Sequence, residues 1–142
     1  MNTKEKTTIT IEALINCPIE KTWNFCTAPE HITKWNFASD DWHAPRAEND
    51  LRVGGKFLSR MEAKDGSFGF DFEGIYEKVK TNELIEYGLA DGRKVKIVFI
   101  AENNKTKIVE SFDAENENPI EMQRGGWQAI LNNFKKYAED LL

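Results

Sequence analysis

Glu110 lies in "KTKIVESFDAE" with the strand parity of Ile108 and Phe112. A strand through this segment therefore turns one carboxyl toward its apolar face. Desolvation there raises a carboxyl pKa into the range useful for acid-base work, which makes Glu110 the sharpest candidate for chemistry. A bulge that flips parity, fraying of the strand, or pairing with Arg60 or Lys56 across the sheet would leave it structural. His43, in "KWNFASDDWHAP", is the second catalytic candidate, against an ordinary exposed loop histidine. His31 reads as a solvated helix face. Ser59 shares parity with Phe57 and Met61, but no His/Asp companion is spaced to activate it. Two histidines with no ligand neighbours complete no metal site, so no metal and no cofactor is expected. The glycines at 54 and 55 precede neither a P-loop Lys-Ser/Thr nor a dinucleotide pattern.

The remaining unusual residues are aromatic. Trp35, Phe37 and Trp42 crowd a stretch, 34–45, with no helical or strand period; rings of this size normally go where a core covers them. Phe68, Phe70, Phe72 and Tyr76 alternate along "SFGFDFEGIYEKV" with Asp71, Glu73 and Glu77 at their backs, so the rings share one buried face.

The elements that must position these side chains follow from period and punctuation. "TTITIEALI" (7–15) alternates like a half-buried strand. Pro18 opens a short helix carrying Trp23, and Pro29 opens a second. Strands then accumulate, joined by turns at Lys64-Asp65-Gly66, Asp91-Gly92 and Asn103-Asn104. From Asn118-Pro119 the period changes to 3.6: Trp127, Ile130, Leu131, Phe134, Ala138 and Leu141 line one face of a helix of about 24 residues. Asn118 and Glu121 form a capping-box pattern at its start. The result is an α+β fold of about six antiparallel strands, two short helices after strand 1, and one long helix that the curved sheet must wrap. The chain of 142 residues reads as a single domain, 1–142.

Composition narrows the partners. The net charge is −5 and no Lys/Arg run exceeds the pair at Lys135-Lys136. No nucleic-acid partner is expected, since that affinity rests on clustered cations. No segment approaches the roughly 20 apolar residues that span a bilayer, so a cytoplasmic protein without membrane insertion is expected. Cys17 and Cys26, nine residues apart in a segment read as helical, are expected to remain reduced and buried.

Three segments together resemble one family: "CPIEKTWNFCTAPEHITKW", "DLRVGGKFLSRMEAKDGSFGFDFEGIYEKV" and "ENPIEMQRGGWQAILNNFKKYAEDLL". Their order and spacing are similar to those of homologues of the activator of the 90-kDa heat-shock chaperone ATPase, within the START-like helix-grip (SRPBCC) superfamily. That resemblance implies a hydrophobic pocket between sheet and long helix. An empty pocket of ~300 Å³ forfeits roughly 7 kcal/mol of packing, so side chains fill it or a ligand uses it. The expected function is binding of a small hydrophobic or aromatic molecule. Surface would come from Trp35, Trp42, Phe57, Met61, Phe68, Phe70, Phe72, Tyr76 and Trp127, and polarity from Glu110 and Gln123. The cost of Gly125 and Gly126 in the helix is expected to reflect a bend or a close approach to the sheet. A cyclase or hydrolase using the same cavity is the alternative. Co-regulation of a chaperone ATPase is disfavoured, because that activator uses a second domain for which this chain has no room. A weak homodimer stays open.

Overall fold

The computed structural model describes residues 7–141. Seven antiparallel strands form one curled sheet, a half-barrel, in the order β1-β7-β6-β5-β4-β3-β2. Strand β1 (Thr8–Ile15) leads into helices α1 (Ile19–Thr27) and α2 (Pro29–Trp35). These carry the chain across one end of the sheet to its other edge, β2 (Trp42–Asn49). A meander follows: β3 (Lys56–Ala63), β4 (Gly69–Lys80), β5 (Leu84–Leu89), β6 (Lys94–Glu102) and β7 (Lys105–Asp113). Helix α3 (Ile120–Asp140) closes the concave face.

The strand beyond the six or so expected is β2. "WHAPRAEN" lacks alternating apolar residues and contains Pro45, and its register slips between His43 and Arg46. An edge strand tolerates a missing donor and a bulge, so sheet formation overrides a local sequence that reads as loop. The loop itself is only residues 36–41. Helix α3 is 21 residues long, and its N-cap is Pro119, in an extended conformation and with no side-chain cap. The capping box is therefore not formed. Instead the Glu115 carboxylate accepts from the backbone N–H of Asn118 at 2.7 Å and of Glu117 at 3.1 Å.

Alternation decides which side chains face α3. Ile9, Ile11 and Ile15 of β1, Val95 and Phe99 of β6, and Ile108 and Phe112 of β7 are all buried. Trp23 of α1 closes one end, its ring edge-on to Phe99 with centroids 5.0 Å apart. Gly74 is required by a close approach: a Cβ there would lie 2.7 Å from the Gly88 carbonyl and 2.8 Å from the Phe57 ring. Cys17 lies before α1 and Cys26 within it; both are free thiols, and only Cys17 is closed off completely. His31 is not a solvated face, since its Nδ1 is 2.6 Å from the Tyr137 hydroxyl.

The helix approaches the sheet unevenly. Its backbone runs close along β1. Four side-chain bonds fasten it there: Arg124 donates to the Thr10 carbonyl (3.2 Å), Gln128 to Glu12 (3.3 Å) and Lys135 to Leu14 (2.7 Å), and Glu139 accepts from the Asn16 N–H (2.8 Å). Those carbonyls belong to the open edge of β1, which the helix thus covers. No helix among the described residues is long and apolar enough to cross a membrane.

Candidate functional site

Between α3 and the middle strands lies a cavity of about 450 Å³. The sheet supplies Phe57, Ser59 and Met61 from β3, Phe70, Phe72 and Tyr76 from β4, Ile85 and Tyr87 from β5, Ile97 from β6, and Ile108 and Glu110 from β7. Helix α3 supplies Gln123, Gly126, Trp127, Ile130, Leu131 and Phe134, and the α1–α2 end supplies Cys26, Thr27, Ile32 and Trp35.

Several walls are fixed by neighbours. Trp127 stacks on Phe112, centroids 3.9 Å apart and planes 11° from parallel, and meets Phe72 edge-on at 6.2 Å. Trp35 donates its indole N–H to the Phe25 carbonyl at 2.9 Å and lies edge-on to Phe134 at 5.0 Å. The Tyr76 hydroxyl donates to Asn49 Oδ1 at 2.5 Å, and Asn49 Nδ2 donates to the Thr27 carbonyl at 2.7 Å. One chain of bonds thus joins β4, β2 and the end of α1. Phe57 and Tyr87 meet edge-on at 4.6 Å. Aromatic pairs in such offset and edge-on geometries add to simple burial.

Gly125 and Gly126 do not serve a close approach to the sheet. A Cβ at either position would meet nothing within 4 Å. Gly126 instead lines the cavity, so its missing side chain is space that the cavity keeps.

Glu110 is the polar centre. It stands opposite Ile11 on β1 and Ile97 on β6. It keeps part of its surface open to the cavity, although protein surrounds it on every side. No hydrogen bond or ion pair reaches its carboxyl among the described residues. Arg60 is engaged elsewhere, by Glu62 at 2.9 Å and Asp71 at 3.3 Å. Desolvation raises Glu110 from 4.5 to about 7. Burial, then the nearby Glu110, pushes the Cys26 thiol up to about 12, and burial foremost raises the Tyr76 and Tyr87 hydroxyls. These three neighbours stay neutral where Glu110 titrates.

Of the ligand-binding candidates, Trp35, Phe57, Met61, Phe70, Phe72, Tyr76, Glu110, Gln123 and Trp127 border the cavity. Trp42 and Phe68 do not, which corrects the expectation for both. Trp42 begins β2 opposite Ala63, and Phe68 precedes β4, so both lie beyond the covered part of the sheet. There they form a lip with Phe70, their ring centroids 6.0 to 6.1 Å apart, and Phe68 is 60% exposed. Phe37 is also outside the lining; its carbonyl accepts from Asn133 at 3.4 Å. The Gln123 amide is spent on the loop before α3: it accepts from the Glu115 N–H at 2.8 Å and donates to the Asn118 carbonyl at 2.8 Å.

His43 lies on the outer face, its Nε2 3.6 Å from the Glu62 carboxylate. Parity opposite Glu62 in the β2–β3 register puts it there, so it is removed from the cavity's chemistry. Sequence reasoning missed Tyr87, whose parity with Ile85 in "ELIEYGL" was the available signal. No cluster of three or more His, Cys, Asp or Glu among the described residues is placed to hold a metal ion.

Residues 16–139 match the family described as Activator of Hsp90 ATPase homolog 1-like protein. The solution structure of an AHSA1-like protein from Aeromonas hydrophila is 43% identical, with a TM-score of 0.89 over 95% of this chain and 94% of that one. A solution structure from Cytophaga hutchinsonii is 56% identical, with a TM-score of 0.82 over 94% of this chain and 92% of the other. A crystal structure from Nitrosomonas europaea, at 17% identity, shares the fold with a TM-score of 0.82 over 95% and 96% of the two chains. No curated protein matches the sequence. With nearly its whole length aligned to the family, the chain belongs to the activator of Hsp90 ATPase homolog 1-like proteins.

Proposed function

We propose that this protein binds a small hydrophobic or aromatic-containing molecule between the sheet and α3. The observation that supports the reading is the cavity of about 450 Å³, walled by rings and aliphatic side chains, in an otherwise packed core. Leaving even a third of that volume empty costs on the order of 4 kcal/mol, a large share of a domain's net stability. Gly126 deepens the void where alanine would favour the helix. Pocket volume and mostly apolar lining both suit a small organic ligand.

Titration of tryptophan fluorescence with a panel of lipids and aromatic metabolites tests this, because Trp35 and Trp127 face the cavity. A saturable change, matched by co-purified mass in native mass spectrometry, is expected. A flat response across the panel, with no extra mass, contradicts the reading.

One observation favours a second reading, an enzyme of cyclase or hydrolase type. Glu110 titrates near neutrality, where a general acid or base works best. Once a substrate is in hand, unchanged turnover in Glu110→Gln would eliminate that role.

A further inference from the structure

The cavity contains polar groups without partners. Glu110 has no hydrogen bond and no ion pair among the described residues, and neither has the Tyr87 hydroxyl nor that of Ser59. Burying a carboxylate in an apolar setting without a partner is among the costlier things a fold can do. Here nothing within the protein offsets it: desolvation alone accounts for the displacement of Glu110, with no cation contributing.

The groups facing Glu110 from the surrounding elements are the Cys26 thiol of α1 and the Tyr87 phenol of β5, each of which feels its charge. Both are neutral. Arg93 is the one basic residue on the lining, and its guanidinium is already held 2.7 Å from the Asp91 carboxylate. Of the three carboxylates on the same lining, Glu48 pairs with Arg46 at 3.3 Å and Glu115 accepts from the Glu117 and Asn118 backbone N–H groups, so Glu110 alone is unengaged among the described residues. The one charge of the lining left without a partner is therefore that of Glu110, which is also the most secluded of the carboxylates.

We propose that the ligand of this cavity is a hydrophobic amine, whose ammonium group supplies the partner that Glu110 lacks while its apolar body lies against Phe57, Phe72 and Trp127. The proposal rests on the ligand-binding reading and narrows it. An ammonium brings up to three donors, enough to satisfy the carboxylate. Ring faces along the wall also attract a desolvated cation. An acid is repelled by the same arrangement, and a hydrocarbon leaves the carboxyl unpaired.

A naphthalene series isolates the headgroup: naphthylmethylamine, naphthalenemethanol, ethylnaphthalene and naphthoic acid, titrated calorimetrically into the intact protein. The amine is expected to bind about tenfold or more tighter than the hydrocarbon, and the acid weakest. Glu110→Gln is expected to abolish the amine's advantage while the hydrocarbon still binds. Pairing converts a protonated Glu110 into a carboxylate, so amine binding near pH 6 should release a proton, read as a dependence of the heat on buffer ionisation enthalpy. Near pH 8 the release should vanish. That wild-type measurement tests the proposal independently of how the variant folds. If the amine has no advantage over alcohol or hydrocarbon, or keeps it in Glu110→Gln, the amine proposal falls and the cavity reading stands. If none of the four binds, both fall.

Discussion

Ionisation of Glu110 couples directly to the stability of the ligand-free protein. Its folded-state pKa of about 7 lies above the 4.5 of an ordinary carboxyl, so the unfolded chain releases its proton first. Stability is full below about 4.5, falls as pH rises toward 7, and then levels off. The displacement corresponds to about 3 kcal/mol. Urea denaturation near pH 5 and pH 8 is expected to show that loss, and Glu110→Gln is expected to flatten it. A wild-type curve independent of pH would contradict a buried, unpartnered side chain. Parity alone made the inward direction of Glu110 legible in the sequence, because β7 keeps strict alternation through Thr106, Ile108 and Phe112. The fate of Gln123 was not legible. Its amide bonds depend on the path of residues 115–118, which no local pattern encodes. His43 failed for a related reason, since its face depends on the register of β2 rather than on its own neighbours.

At the scale of elements, α3 shows how a helix can serve a void. Ala at position 126 meets no obstacle, so Gly126→Ala is expected to stabilise the ligand-free protein by about 1 kcal/mol through helix propensity. Gly126→Phe would instead place a ring in the cavity. It is expected to keep the fold by circular dichroism while reducing probe binding about tenfold or more. Probe binding at wild-type affinity in that variant would show that ligands occupy another place. Elements with strong periodicity were readable from sequence: β4, β7 and α3 all form where alternation or the 3.6 period puts them. Strand β2 was hidden because Arg46 and Glu48 take its solvent face and Pro45 interrupts it. Its stability comes from pairing with β3, a tertiary contribution that a local reading of the chain does not contain.

Across the whole molecule, the ligand site and the folding core share side chains. Phe57, Tyr76, Tyr87, Ile108, Leu131 and Phe134 belong to the buried core and also border the cavity. A ligand that fills the space should therefore stabilise the entire domain. At a hundred times its dissociation constant, linkage gives about 2.7 kcal/mol, or on the order of 8 °C in the melting temperature for a chain of this size. Thermal denaturation with and without a saturating probe measures this. Saturation without any rise would mean that the probe binds outside the core. The wrapped-helix architecture was accessible from element order alone, because only α3 is long enough to cover the sheet. The size of the gap beneath it was not, since a few ångströms of helix standoff leave no trace in hydrophobic spacing.

The fastening of α3 along β1 decides which wall can yield. Arg124, Gln128, Lys135 and Glu139 lash the helix to the backbone of β1 and the residue that follows it. Among the described residues, no hydrogen bond of an α3 side chain reaches β2 through β6. The helix is thus a hinge post. Phe70 of β4 and Met122 of the helix itself face the cavity from its two sides, with 41% and 62% of their surfaces exposed. Across the cavity the β3–β4 hairpin meets the post only through side-chain packing, Phe72 edge-on to Trp127. That wall is the one that can part from the helix without the loss of a hydrogen bond among the described residues.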